Sequence, residues 1–265
     1  MTDLDNRRLD NEARFQDERM KSAQRGEREL RDRFYFINQQ AYDEYVRLLS
    51  GLAGKRVVVV GSSDGGVTPL GRQQAYVEGI DISPVAIAEL QKAIEKERLS
   101  QYASARVMNA EALAYADRSI DVISCSGVLH HLNTERALQS WSRCLKSDGR
   151  VILFEPLALH PVAAVFRWLT PKLRTPDEHP LRGRDFALMR HYFSVVEPRF
   201  FGLTTVVCAG VALLPGGTRV AEKMLGSLEA LDAWLLATLP FLRQFCWLTV
   251  VQLRAPKAAD SAPAA

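Results

Sequence analysis

Apolar positions along this chain follow two periods. Val57-Val-Val-Val60, Val77 to Ile82, Ile120-Asp-Val-Ile-Ser-Cys125 and Val151-Ile-Leu-Phe154 are short runs rich in β-branched residues. Such runs predict strands buried on both faces, as in a parallel sheet. Between them the spacing switches to three and four. Ile37, Ala41, Tyr45 and Leu48 precede the first run, Ile87, Leu90 and Ile94 follow the second, and Leu138, Trp141 and Leu145 precede the fourth. Each set lines one face of a helix. Gly51 and Gly54 end the first helix, Ser83-Pro84 supplies an N-cap and a proline at the first helical position, and Lys146-Ser-Asp-Gly149 turns the chain into the last run. Arg106-Val-Met108 adds a short strand. Alternation at these spacings predicts an α/β chain with a doubly wound sheet.

The flanks differ from this centre. Residues 1–33 carry acidic and basic side chains in equal number and few large apolar ones. They predict a charged extension, either disordered or a solvated helix. Phe34-Tyr-Phe-Ile37 opens the helix that follows, which either packs on the sheet edge or forms an aromatic lid. The segment 157–192, rich in proline and basic residues, reads as a substrate-facing insertion. From Phe200 to Leu253 the chain is strongly apolar, in runs at Val206–Leu214, Leu231–Leu239 and Phe245–Leu253. Each falls short of the roughly 18 residues that a membrane span needs. Two final strands with a helical insert over 215–244 are the expectation, then a disordered tail over 255–265. The main domain is therefore placed at 34–254.

Length and composition narrow the class. A chain of 265 residues, 47% apolar and 25% charged, suits one large α/β domain. A net charge of +3 without a Lys/Arg block argues against a nucleic-acid partner. Cys125, Cys144, Cys208 and Cys246 are too widely spaced for a metal knuckle or a disulfide framework. The N-terminal residues lack the apolar segment of a signal peptide, so a cytoplasmic location is expected. No His/Asp/Glu spacing compels a metal, and none is expected.

The chemistry concentrates at strand ends. The run Arg56-Val-Val-Val-Val-Gly-Ser-Ser-Asp-Gly-Gly66 stops a strand on a glycine-rich turn, and Asp81 ends the next strand in Gly79-Ile-Asp-Ile-Ser83. Glycines let backbone approach a ligand, and a carboxylate there can accept two hydrogen bonds from ribose hydroxyls. A nucleoside-type cofactor across two neighbouring strand ends follows. Gly61-x-x-x-Gly65 does not match the Gly-x-Gly-x-x-Gly of nicotinamide dehydrogenases. Three further segments keep the order: Asn109-Ala-Glu111, Ser126-Gly-Val-Leu-His-His-Leu132 and Leu145-Lys-Ser-Asp-Gly-Arg-Val-Ile-Leu-Phe-Glu-Pro156.

Together these five segments resemble the class I S-adenosylmethionine-dependent methyltransferases of the small-molecule, type 11-like group, over roughly residues 40–200. The resemblance implies a Rossmann-like seven-stranded methyltransferase sheet with an N-terminal helical lid and a C-terminal helical insert. It implies S-adenosyl-L-methionine as cofactor and S-adenosyl-L-homocysteine as product. Gly61, Ser62, Ser63 and Gly65 would form the cofactor turn, Asp81 and Ile82 the ribose end, Asn109 and Ala110 the adenine contact, and Ser126 the edge beyond the fourth strand. Three positions depart from the pattern. Val59 stands where an acid is usual, Ser63 replaces the middle glycine, and Asn109 replaces an aspartate. Losing one charged hydrogen bond would weaken cofactor binding by about 1.5–3 kcal/mol.

The acceptor side is read from the histidines. All five lie between positions 130 and 191. His130 and His131 follow the fourth strand at the edge where such sheets bind ligands, and Glu155 ends the fifth strand facing the same crevice. His179, between prolines and beside Asp177 and Glu178, is the favoured base; a loop histidine capping a turn is the plainer alternative. Arg174, Arg182 and Arg184 would suit an acidic acceptor or a solvated loop face. The expected activity is methyl transfer to a small, partly hydrophobic acceptor in secondary metabolism or another biosynthetic pathway, with oxygen favoured as the atom methylated. N- or C-methylation of a quinone- or lipid-like acceptor, and a catalytically inactive cofactor-binding partner protein, stay open. No stable membrane insertion is expected, peripheral contact is left open, and the chain is a monomer or homodimer.

Overall fold

The computed structural model describes residues 36–61, 66–169 and 178–257, with residues 11, 13 and 14. The charged extension at 1–33 and the turn residues Ser62–Gly65 therefore lie almost wholly outside the described residues, as do Arg174 and residues 258–265.

A short 3₁₀ turn, Phe36–Asn38, leads into α1 (Gln39–Leu48). The alternating core follows as β1 (Arg56–Val60), α2 (Val67–Arg72), β2 (Tyr76–Asp81), α3 (Pro84–Lys96), β3 (Ala103–Val107), β4 (Ile120–Ser126), α4 (Thr134–Cys144) and β5 (Leu145–Pro156). Then come α5 (Pro161–Leu169), α6 (Gly183–Tyr192), β6 (Phe193–Phe201), α7 (Val206–Ala212), α8 (Gly217–Thr238) and β7 (Leu248–Pro256). Among the described residues these strands form one seven-stranded sheet in the order β3-β2-β1-β4-β5-β7-β6. β1 to β5 pair in parallel, whereas β7 runs antiparallel to both β5 and β6. The strand ends of β1 to β6 therefore share one carboxyl edge. This is the doubly wound α/β arrangement predicted.

Burial explains the apolar runs. Val57 to Val60 are all at least nine-tenths buried, because helices cover both faces of the central strands. One face packs Ile80, Ile123, Leu138 and Trp141; the other packs Val57, Val77, Leu90 and Ile94. The caps form as read. Ser83 Oγ accepts the N–H of Ala86 at 3.0 Å with Pro84 at the first helical position, and Asn133 caps α4 through the N–H of Arg136.

α1 packs on the sheet through Ala41 and Tyr45. The Tyr45 hydroxyl pairs with Ser124 Oγ at 2.5 Å, and burial raises its pKa. The turn ahead of α1 joins Ile37 to Cys208, Ala209 and Ala221 of the C-terminal insert. Two expectations need correction. Val206–Ala212 is helix α7 rather than a strand, so the insert begins before 215, and the sixth strand is Phe193–Phe201. The tail does not start at Ala255. β7 runs to Pro256, and Lys257 donates its N–H to Tyr192 O at 2.9 Å.

Candidate active site

The carboxyl edge gathers the predicted positions. Gly61 leaves β1 at φ +72° with its N–H on Ile80 O at 2.9 Å. That left-handed backbone favours glycine. A Cβ here would also overlap the Val128 side chain, whose own Cβ lies 3.2 Å away. The loops after β1 and β4 thus touch through a missing side chain. Ser62, Ser63 and Gly65 fall outside the described residues. Val59, in the position usually acidic, is buried in the core on the face that packs Val57 and Val77.

Asp81 ends β2 half-buried, and its Oδ1 accepts the N–H of Ser83 at 2.9 Å. One carboxylate oxygen is thereby aimed along the loop, with Ile82 beside it. Past β3, Asn109 Oδ1 accepts the N–H of Glu111 at 2.9 Å, closing a local turn. Ala110 is fixed by its carbonyl, which accepts the indole N–H of buried Trp141 at 2.9 Å. Glu111 in turn accepts the N–H of Asn133 at 2.8 Å and so ties this loop to the start of α4. Sequence reasoning placed Trp141 in the core but did not see its hydrogen bond. Ser126 closes β4, and Gly127 (φ +65°) turns the chain out of the sheet.

The acceptor side is built on Glu155, which is fully buried. Its Oε1 accepts the N–H groups of Val128 at 3.0 Å and Leu129 at 2.8 Å, and the Cys125 thiol at 3.6 Å. Oε2 takes His130 Nδ1 at 2.6 Å. A carboxylate only accepts, so Nδ1 carries the proton of this bond, and in the neutral ring the lone pair falls on Nε2. Glu155 therefore holds His130 rather than facing an open crevice. Cys125, pressed against it, has its thiol pKa raised by burial and by the neighbouring carboxylate.

His131 stacks on His130 with ring centroids 4.2 Å apart. The segment returning from the insertion pairs Leu181 with Leu157 and donates the N–H of His179 to His130 O at 2.8 Å. His179 Nε2 lies 3.3 Å from Thr134 Oγ1. Imidazole nitrogens of His130 and His131 and a carboxylate oxygen of Glu178 lie within 4.8 Å of one another. Four predicted residues (His130, His131, Glu155 and His179) are thus brought together from β4, β5 and a distant loop. His160 and His191 are elsewhere. His160 takes the N–H of Ala163 in the first turn of α5, and His191 stacks edge-on to Tyr192 in α6.

A 3-2-1-4-5-7-6 sheet, a glycine leaving β1 and an acid ending β2 give this protein a Rossmann-like methyltransferase fold, and it is an S-adenosylmethionine-dependent methyltransferase. Residues 58–153 match the family described as "Methyltransferase domain". A phosphatidylethanolamine N-methyltransferase from Cereibacter sphaeroides is 28% identical over 140 residues, 52% of this chain and 67% of that one. Among solved structures, geranyl diphosphate C-methyltransferase from Streptomyces coelicolor A3(2), in complex with Mg2+, geranyl diphosphate and S-adenosyl-L-homocysteine, superposes with TM-score 0.56. It is 14% identical, with 82% of this chain and 79% of that chain covered. Magnesium protoporphyrin IX methyltransferase from Synechocystis PCC 6803, with bound S-adenosyl-L-homocysteine, gives 0.53 at 18% identity, covering 84% and 86%. The cofactor is S-adenosylmethionine. Among the described residues no helix is long and apolar enough to cross a membrane.

Proposed function

We propose that Gly61, Asp81, Ile82, Asn109, Ala110 and Ser126, with Ser62, Ser63 and Gly65 of the turn, hold the cofactor. The left-handed turn at Gly61, packed against Val128 of the loop after β4, and the carboxylate of Asp81 at the end of β2 support a ligand lying across these strand ends. Bound there, S-adenosylmethionine supplies a sulfonium methyl already activated for in-line displacement. The protein then has to orient the acceptor and take its proton. The acceptor is a small, partly hydrophobic molecule, a natural product or biosynthetic intermediate, methylated on oxygen.

The buried Glu155–His130 pair, 2.6 Å apart beside His131 and His179, carries this reading. Glu155 is a positioning residue; His130 and His131 face the polar end of the acceptor; His179 takes the proton. The domain runs from 34 through β7 to Lys257, with 157–192 and the helical insert forming the acceptor side. Radiolabelled methyl transfer from S-adenosylmethionine to a panel of phenols and quinols tests it. His179→Ala should lower kcat by about a hundredfold with S-adenosylhomocysteine affinity unchanged. A near-normal kcat would remove His179 from the chemistry.

A second reading, N-methylation of a lipid-like amine, is favoured by two observations. The bacterial relative is a phosphatidylethanolamine N-methyltransferase. Large apolar side chains also stand exposed on the two insertions, among them Val165 and Trp168 on α5 and Trp234 on α8. Label appearing in phospholipid from phosphatidylethanolamine vesicles, and in none of the phenols, would select it.

A further inference from the structure

The geometry points to a divalent transition-metal site formed by His130, His131 and Glu178. The three ligand atoms already lie within 4.8 Å of one another. Ligands about 2.1 Å from a shared ion stand roughly 3–3.5 Å apart. The cluster therefore needs to close by about an ångström, which rotation of the half-buried His131 and Glu178 side chains can supply. Two imidazoles on one ion place their centroids about 4.5 Å apart at a right angle and about 5.2 Å at the tetrahedral angle at these bond lengths; the observed 4.2 Å requires the His131 ring to swing slightly away from His130.

Two further features have the form of support for a metal. His130 donates Nδ1–H to the fully buried Glu155 carboxylate. Ligating imidazoles are held in this way, with the second nitrogen left for the ion and its basicity raised. Glu178 arrives from a segment remote in sequence, and the bond from His179 N–H to His130 O, at 2.8 Å, clips that segment to the ligand turn. The third donor is thus fixed by the backbone of the first. Two imidazoles and one carboxylate, without sulfur, suit Zn2+, Co2+, Fe2+ or Mn2+ better than Mg2+ or Ca2+.

Three protein donors leave coordination positions for water or for an oxygen of the acceptor, as in catalytic rather than structural sites. The role at the acceptor rests on the proposed function above; the binding of the ion does not. An ion there would anchor the acceptor oxygen and favour its ionised form, with His179 alongside. This differs from the expectation of no metal, which came from spacing in sequence: Glu178 lies 47 positions beyond His131.

The test is Co2+ titration of the metal-stripped full-length protein, followed by visible absorption and calorimetry, with S-adenosylhomocysteine binding measured on the same samples. One equivalent should bind with a dissociation constant in the micromolar range, and Zn2+ should displace it. His131→Ala and Glu178→Gln should each weaken binding at least tenfold while leaving S-adenosylhomocysteine affinity intact, which shows that the variants fold. Absence of saturable binding in the parent protein, or equal affinity in both variants, would overturn the site. Metal binding without metal-dependent turnover would sink the acceptor role alone.

Discussion

Replacing Glu155 by alanine or by glutamine separates what its carboxylate does for the fold from what it does for the imidazole. Alanine removes the acceptor of two backbone N–H groups, those of Val128 and Leu129, in a pocket where Glu155 itself has no exposure. Each buried donor left unpaired costs about 1–3 kcal/mol. The expected loss is therefore about 2–6 kcal/mol, a large share of the roughly 5–15 kcal/mol that holds a domain together. Glutamine keeps one carbonyl oxygen for both N–H groups. It forfeits charge assistance, about 1 kcal/mol, and sets an amide N–H₂ against His130 Nδ1. The imidazole must then accept there and move its proton to Nε2. Urea unfolding followed by tryptophan fluorescence should rank parent, Gln and Ala in that order, with Gln close to the parent. Turnover of the Gln variant should nonetheless fall about tenfold to a hundredfold. An Ala variant within about 1 kcal/mol of the parent, or a Gln variant as damaged as Ala, would refute the reasoning.

Other outcomes follow from the same geometry. Asp81→Ala should weaken S-adenosylhomocysteine binding about tenfold to a hundredfold by calorimetry; unchanged affinity would move the ribose elsewhere. Gly61→Ala should be destabilised by about 2–4 kcal/mol, from its positive φ and the overlap with Val128. Adding Val128→Ala should recover the steric part; no recovery would mean the backbone strain accounts for all of it. The pKa of Asp121 lies below the usual carboxylate value: burial raises it, but Lys146 at 2.9 Å, the N–H of Arg56 and the charge of Lys55 outweigh that. A lowered folded-state pKa stabilises above the unfolded value and is lost as pH falls through the folded one. The stability gap between the parent and Asp121→Asn should hold at neutral pH and shrink below about pH 4; a pH-independent gap would contradict the assignment. Burial pushes the Cys246 thiol up to about 12 and raises those of Cys125, Cys144 and Cys208. At pH 8 a thiol-specific dye should label the native protein slowly and all four cysteines after denaturation; rapid labelling of the native protein would show that a thiol is exposed.

The central sheet was legible because its strands are buried on both faces and its helices on one, so the period of apolar residues switches cleanly at each boundary. β6 was not. It is an edge strand of mostly half-exposed residues, with Pro198 and Arg199 inside it, and carries little apolar signal. The stronger run at Val206–Ala212 took its place, although that run is a helix packed between Ile37 and α8. Short apolar runs do not distinguish helix from strand without their neighbours. The strand-end acid and glycine were legible as chemistry. The burial of Glu155 was not, since its donors come from a loop some 25 residues earlier and meet it only once β4 and β5 pair.

The placement of β7 bears on how the protein is made. Among the described residues it is the last strand of the sheet to be synthesised, yet it lies between β5 and β6 and pairs with both. Until it emerges from the ribosome, β5 presents a bare hydrogen-bonding edge and β6 has no neighbour in the sheet. An open edge of this kind invites pairing with another chain. The register that aligns Glu155 with Thr249 and Pro156 with Leu248 also forms only then. Nascent chains stalled before Leu248 should therefore be protease-sensitive and dependent on chaperones, even with every residue proposed for the cofactor and acceptor sites already translated.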